Sequence, residues 1–219
     1  MTGAGLVLDF DGTILDTEEP VYRSWAELFV ECGHELALGD WQAIIGTNGF
    51  DPWSELERRC GEPLDPGLQE WRRARRDELQ ADHGPRPGVL TWLAVARRLG
   101  VPVGIASSSP PDWVNSHLES LGLRDDFTCI VCCDGVVPAK PDSTSYRLAC
   151  EGLSVDPRRS VAVEDSPHGV AAAVGAGLFT VAVPHPLTAD LDLSAADLLA
   201  ASLEEVSLVE VMERAAARA

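Results

Sequence analysis

The sequence predicts a parallel α/β fold interrupted by a helical insertion, and three observations carry that prediction. Five short apolar runs bounded by turn residues read as buried strands. Helical patterns alternate with the later four of them, the arrangement that builds a parallel sheet. Between Asp16 and Pro85 about 70 residues show helical spacing and no convincing strand.

In chain order, the first strand runs from Gly5 to Phe10 and ends in Asp11-Gly12-Thr13. Within the insertion, Trp25, Leu28 and Phe29, then Trp53 and Leu56, then Trp71 recur at helical spacing. Gly33, Gly39, Gly46, Gly49 and the stretch 63–67 supply its turns, and Gly84-Pro85-Arg86-Pro87-Gly88 reads as a hinge. The alternation follows: helix Gly88 to Leu99, strand Val101 to Ala106, helix Asp112 to Leu121, strand Cys129 to Cys133, helix Ser143 to Leu153, strand Val161 to Val163, helix Pro167 to Ala176, strand Thr180 to Val183. The alanine-rich end after Val211 reads as a fraying helix.

A chain of 219 residues, 45% hydrophobic, is long enough to bury a full core, which excludes a disordered tail. Seventeen basic residues against 35 acidic ones leave a net charge of −18. That charge repels nucleic-acid backbones and anionic lipid, and attracts a metal cation. No apolar run reaches membrane-spanning length and the first fifteen residues have no basic signal-like region, so the expected location is the cytoplasm. Cys129 and Cys132 have CxxC spacing without a second pair, which favours packed thiols over zinc.

Alternation of side chains along a strand puts Asp9 and Asp11 on one side and Phe10 on the other, where Gly12 lets the backbone turn. Two crowded carboxylates need a cation or a retained proton; an ordinary Asp-Gly turn is the plainer alternative. Glu164-Asp165 closes another strand, and capping explains Ser166-Pro167 but not two adjacent acids. Together these four carboxylates are hard oxygen ligands of the kind Mg²⁺ prefers, at strand ends where parallel sheets place their sites. Ser107-Ser108-Ser109 precedes a helix start suited to an anion, Ser109 reading as a capping residue with Asp112. Lys140 is the single lysine against sixteen arginines, a compact ammonium suited to a phosphoryl oxygen, although a surface position would explain it too.

Asp9-Phe10-Asp11-Gly12-Thr13, Ser107, Lys140-Pro141 and Glu164-Asp165-Ser166, in this order, resemble the motif set of the haloacid dehalogenase (HAD) superfamily over nearly the whole chain. The layout is similar to its beta-phosphoglucomutase and phosphoglycolate phosphatase branch. That resemblance implies a Rossmann-like core with helices on both faces of the sheet at 1–15 and 86–219, and a helical cap of the C1 type at 16–85. It implies Asp9 as nucleophile and Asp11 as proton donor and then base. Mg²⁺ would be held by the Asp9 side chain, the Asp11 main-chain carbonyl and Asp165, with Glu164 as a further ligand or through water; phosphoryl oxygens by Gly12, Ser107, Ser108 and Lys140. Asp11 argues against haloacid dehalogenation, which has no second aspartate there. The insertion has no lysine, which argues against phosphonatase and mutase chemistry.

The expectation is a Mg²⁺-dependent phosphatase acting on a small phosphorylated metabolite, a sugar or polyol phosphate. A monomer is expected, a dimer being the alternative. A phosphosugar mutase and a catalytically weak phosphosugar-binding protein are the competing readings. Arg72, Arg73, Arg75 and Arg76 read as a solvated face, contact with a second anionic group on the substrate being the alternative. His185 and Thr188 rank low as substrate contacts, and Gly46-Thr47-Asn48-Gly49 is a loop placed to supply specificity.

Overall fold

Leu6, Val7 and Leu8 form β1 (Leu6–Leu8), a fully buried strand whose alternation feeds two cores at once. Leu6, Leu8 and then Phe10 enter one apolar cluster and Val7 the other. The structure is a computed structural model that describes residues 3–46 and 50–218. After β1 come four helices: α1 (Glu18–Glu31), α2 (Leu38–Gln42), α3 (Pro52–Cys60) and α4 (Gly67–Gln80). The alternating part follows as α5 (Val89–Leu99), β2 (Val103–Ala106), α6 (Pro111–Ser120), β3 (Cys129–Val131), α7 (Thr144–Leu153), β4 (Val161–Glu164), α8 (Pro167–Gly175), β5 (Phe179–Ala182), β6 (Leu198–Leu199) and α9 (Leu208–Arg218).

The strands form one parallel sheet in the order β3-β2-β1-β4-β5-β6, with β1 between β2 and β4. Helices α5, α6 and α9 cover one face through Trp92, Val114, Leu118, Val211 and Met212. On the other face α7 and α8 pack through Tyr146, Ala149, Ala172 and Ala173. This is the doubly covered, Rossmann-like architecture expected for buried parallel strands.

Two local expectations are corrected and one element is added. The run Cys129 to Cys133 is a strand only as far as Val131, and its residues are half-buried because β3 is an edge strand. The C-terminal helix is packed as far as Ala215: Leu208, Val211, Met212 and Ala215 lie at helical spacing and are all buried against the core, and beyond them 216–218 are exposed. A sixth strand, β6, gives no signal in the sequence because two residues carry no periodicity.

The helices α1 to α4 gather Trp25, Leu28, Phe29, Trp41, Ile45 and Leu56 into a cluster of their own, joined by Leu187 from beyond β5. The arginine run on α4 is not a solvated face. Arg72 is buried with its guanidinium 4.4 Å from the Trp25 ring, and Arg75 pairs with Glu27 at 2.7 Å, so these two fasten α4 to α1, while Arg73 is exposed. Where the chain leaves and re-enters, Leu15 bridges Pro85, and the Arg86 N–H donates to the Ile14 carbonyl at 2.8 Å.

Candidate active site

Because β1 and β4 are neighbours in register, the residues just past Leu8 meet those at the end of β4; the Asp9 N–H donates to the Val163 carbonyl at 3.0 Å. Asp9, Glu164 and Asp165 are therefore brought together, all buried, with carboxylate oxygens within 4.8 Å of one another. Lys140 comes from the loop after β3 and is only 3% exposed. Its ammonium donates to Asp9 Oδ1 and, at 2.6 Å, to Glu164 Oε1. The Tyr146 hydroxyl donates to the same Glu164 oxygen at 2.7 Å.

Both carboxylate oxygens of Glu164 are engaged by protein donors. Its Oε2 accepts from the Asp165 N–H at 3.2 Å and the Ser166 hydroxyl at 3.4 Å. A Cβ at Gly169 would come within 1.9 Å of that oxygen, so the helix start of α8 closes over the carboxylate. Glu164 sits in the acidic cluster but does not line the cavity; its visible task is to hold Lys140.

Burial by itself would pull the Lys140 ammonium down, but Asp9 and Glu164 hold it above the ordinary lysine value. Asp9 is pushed well up by burial, against the pull of Lys140, and further by Glu164 and Asp165. One ammonium cannot neutralise three buried carboxylates, so without a cation the surplus negative charge has to be relieved by a retained proton, the direction in which Asp9 is pushed. Asp9 Oδ2 and Asp165 Oδ2 have no hydrogen-bond partner among the described residues. Unpartnered hard oxygens beside surplus charge fit a small divalent cation such as Mg²⁺.

Asp11 is held differently. Its Oδ1 accepts from the Thr17 hydroxyl at 2.6 Å and the Trp113 indole N–H at 2.7 Å, and its Oδ2 from the Ser109 hydroxyl at 2.5 Å. Ser109 is thus not a helix cap; the residue at the cap of α6 is Pro110, with no side-chain bond. The Ser107 Oγ accepts the Ser109 N–H at 3.0 Å, and no described residue takes its own proton. Ser108 donates to the Gly46 carbonyl at 3.0 Å and accepts the Lys140 N–H at 3.1 Å.

A cavity of about 60 Å³ lies between Asp9, Asp11, Glu18, Gly46, Ser108, Ser109, Lys140, Asp165 and Ser166. By volume it holds a few waters or one small oxyanion. Ser107 is buried and does not line it. Gly12 does not offer its amide: that N–H donates to the Leu15 carbonyl at 2.8 Å, and its own carbonyl accepts from Arg86. At φ +79°, with a Cβ that would lie 2.3 Å from Asp165 Oδ2, position 12 admits glycine for both conformational and spatial reasons. Gly12 therefore shapes the turn, in place of the phosphate contact expected of it.

Two site residues went unread or underrated. Glu18, in the first turn of α1, faces the cavity, and its carboxyl is pushed up to about 8 by burial and then by Asp11 and Asp165. His185, ranked low from sequence, is buried with Nε2 3.2 Å from Asp165 Oδ2, without the alignment of a hydrogen bond. The Leu187 N–H donates to its Nδ1 at 3.2 Å, which puts the neutral ring's proton on Nε2, facing Asp165. Thr188 braces the His185 backbone, accepting its N–H at 3.0 Å. Of the loop 46–49, Gly46 reaches the site and residues 47–49 lie outside the described residues.

Comparison with known proteins agrees with this arrangement. Residues 4–177 match the family model for haloacid dehalogenase-like hydrolases. YhcW of Bacillus subtilis (strain 168), a phosphatase by name, is 40% identical over 210 residues, covering 95% of this chain and 96% of that protein. The fructose-1-phosphate phosphatase YqaB of Escherichia coli (strain K12) is 34% identical over 82% of this chain and 96% of its own. The crystal structure of CbbY from Rhodobacter sphaeroides in complex with phosphate superposes with a TM-score of 0.77 at 29% identity, covering 97% of this chain and 100% of that one. Among the described residues no helix is long and apolar enough to cross a membrane. The chain belongs to the haloacid dehalogenase-like hydrolases, and it is an enzyme of their phosphatase kind.

Proposed function

We propose that the protein is a Mg²⁺-dependent phosphatase of a small phosphomonoester, with Asp9 as nucleophile and an aspartyl-phosphate intermediate. The observation that carries this reading is the buried trio Asp9, Glu164 and Asp165, countered by one ammonium, with unpartnered oxygens on Asp9 and Asp165. Asp9, Asp165 and the Asp11 main-chain carbonyl are the groups assigned to Mg²⁺, with Glu164 acting through Lys140. When bound, Mg²⁺ would draw charge from the phosphoryl oxygens and let an anion approach an acidic site.

The chain's own residues supply the rest. Lys140 keeps Asp9 oriented and offers its ammonium to a phosphoryl oxygen; Ser108 lines the cavity and can offer its hydroxyl once it turns from the Gly46 carbonyl, while Ser107, whose proton is uncommitted, lies behind it. A carboxylate oxygen of Asp9 bonds to phosphorus as the ester bond breaks, and Asp11 gives the departing alkoxide its proton. Asp11, now a carboxylate, takes a proton from the water that attacks phosphorus, which frees phosphate and restores Asp9. The helices of 16–85 act as a cap: Gly46 closes one side of the cavity and Glu18 another, so bulk water is kept out and the alcohol is selected there. Fructose 1-phosphate is the substrate named for YqaB, and a CbbY mutant has been solved with xylulose-(1,5)bisphosphate, which favours a sugar or polyol phosphate here. The absence of lysine from 16–85 disfavours the mutase reading.

A panel of sugar and polyol phosphates, assayed for inorganic phosphate after EDTA and again after Mg²⁺ is restored, tests the reading. Phosphate release that disappears with EDTA and returns with Mg²⁺ is the expected result. Turnover unaffected by EDTA contradicts it, and an isomerised phosphate ester as product would favour the mutase.

A further inference from the structure

A line of side chains runs from α4 into the site. The Arg76 guanidinium lies 4.8 Å from the ring centroid of Trp113 on α6, and is itself held by Asp77 at 2.6 Å. The Trp113 ring also meets His117 with centroids 4.2 Å apart. From this clamped ring the indole N–H reaches Asp11 Oδ1 at 2.7 Å.

The three donors on Asp11 are not equivalent. The Thr17 and Ser109 hydroxyls rotate and can turn acceptor, so they adapt to whatever Asp11 does. An indole N–H only donates, in a direction fixed by its ring. Packing alone would ask for any aromatic at position 113; the aimed N–H asks for tryptophan.

We propose that Trp113 is a positioning residue for Asp11, and that Arg76 holds the indole so that the aim of Asp11 depends on where α4 sits. The proposal rests on the reading of Asp11 as the acid. Its chemical consequence is specific. As the Asp9 oxygen bonds to phosphorus and the ester bond breaks, Asp11 passes its proton to the departing oxygen. A strongly basic alkoxide needs that proton, whereas nitrophenolate leaves without it.

The test compares benzyl phosphate with p-nitrophenyl phosphate, similar in shape and different in leaving group, in the presence of Mg²⁺. The quantity read is kcat/KM, which reports no further than loss of the leaving group. Trp113→Phe is expected to lower kcat/KM for benzyl phosphate about tenfold, the upper end of the usual effect of one lost hydrogen bond, and for p-nitrophenyl phosphate by less than about threefold. Arg76→Gln should shift the same ratio in the same direction, Arg76→Lys should restore it, and Arg76→Gln should add nothing to Trp113→Phe. Equal losses on both esters in a variant that melts like the wild type would overturn the proposal. Asp11→Asn, run alongside, separates the two levels. If it discriminates between the esters and Trp113→Phe does not, the proposal alone fails; if Asp11→Asn does not discriminate, the acid assignment falls and the proposal with it.

Discussion

Replacing Lys140 by methionine is expected to lower the stability of the protein by about 3–5 kcal/mol, the usual cost of stripping one partner from a buried ion pair. For a chain of this length that is roughly 6–20 °C in melting temperature. The ammonium is 3% exposed and counters both Asp9 and Glu164; methionine fills the space and leaves two carboxylates facing each other out of water. Catalysis should vanish as well, because the same group orients Asp9. Mg²⁺ should recover part of the lost stability, since it neutralises the same charge. Denaturant titration and thermal melts with and without Mg²⁺ measure the stability, and a phosphatase assay the loss of turnover. A change within about 0.5 kcal/mol would mean that the carboxylates do not depend on the lysine.

Asp9→Asn is expected to behave in the opposite way, with turnover reduced about 10⁴-fold or more and the fold intact. Asparagine keeps the shape and an oxygen for Lys140 to donate to, so the local packing is preserved. It also removes one of three buried negative charges, so in EDTA the variant should melt no lower than the wild type. Its stabilisation by Mg²⁺ should shrink, because a cation ligand has lost its charge. Steady-state assays beside thermal melts in EDTA and in Mg²⁺ read both effects. Residual activity within about tenfold of the wild type would remove Asp9 as the nucleophile.

The sheet and much of its acidic site were legible because their signals are local. Leu6 to Leu8 announces a buried strand, Asp9 and Asp11 follow at its end, and parallel topology carries Glu164 and Asp165 to the neighbouring strand end. Lys140 stood out by composition alone. Residues whose roles depend on tertiary packing were not legible. Glu18 looks like a favourable acid in a helix's first turn, and only the fold shows it facing the cavity. Trp113 looks like part of an amphipathic helix, and Ser109 like its cap, until both are seen donating to Asp11. The arginines of α4 misled for the same reason: charge predicts solvent, yet Trp25 and Trp113 offered rings to cover. The end of α9 was underrated because alanine gives little apolar signal, although Ala215 is fully buried.

The most direct measurement of the central assignment is a chemical trap. Asp11→Asn lacks the base that activates water, so its reaction with p-nitrophenyl phosphate in Mg²⁺ should stall after the first phosphoryl transfer. Acid quench and peptide mapping should then find a hydroxylamine-labile phosphoryl group on the peptide containing Asp9. Phosphate attached elsewhere, or sustained release of nitrophenol and phosphate with no labelled peptide, would contradict the account.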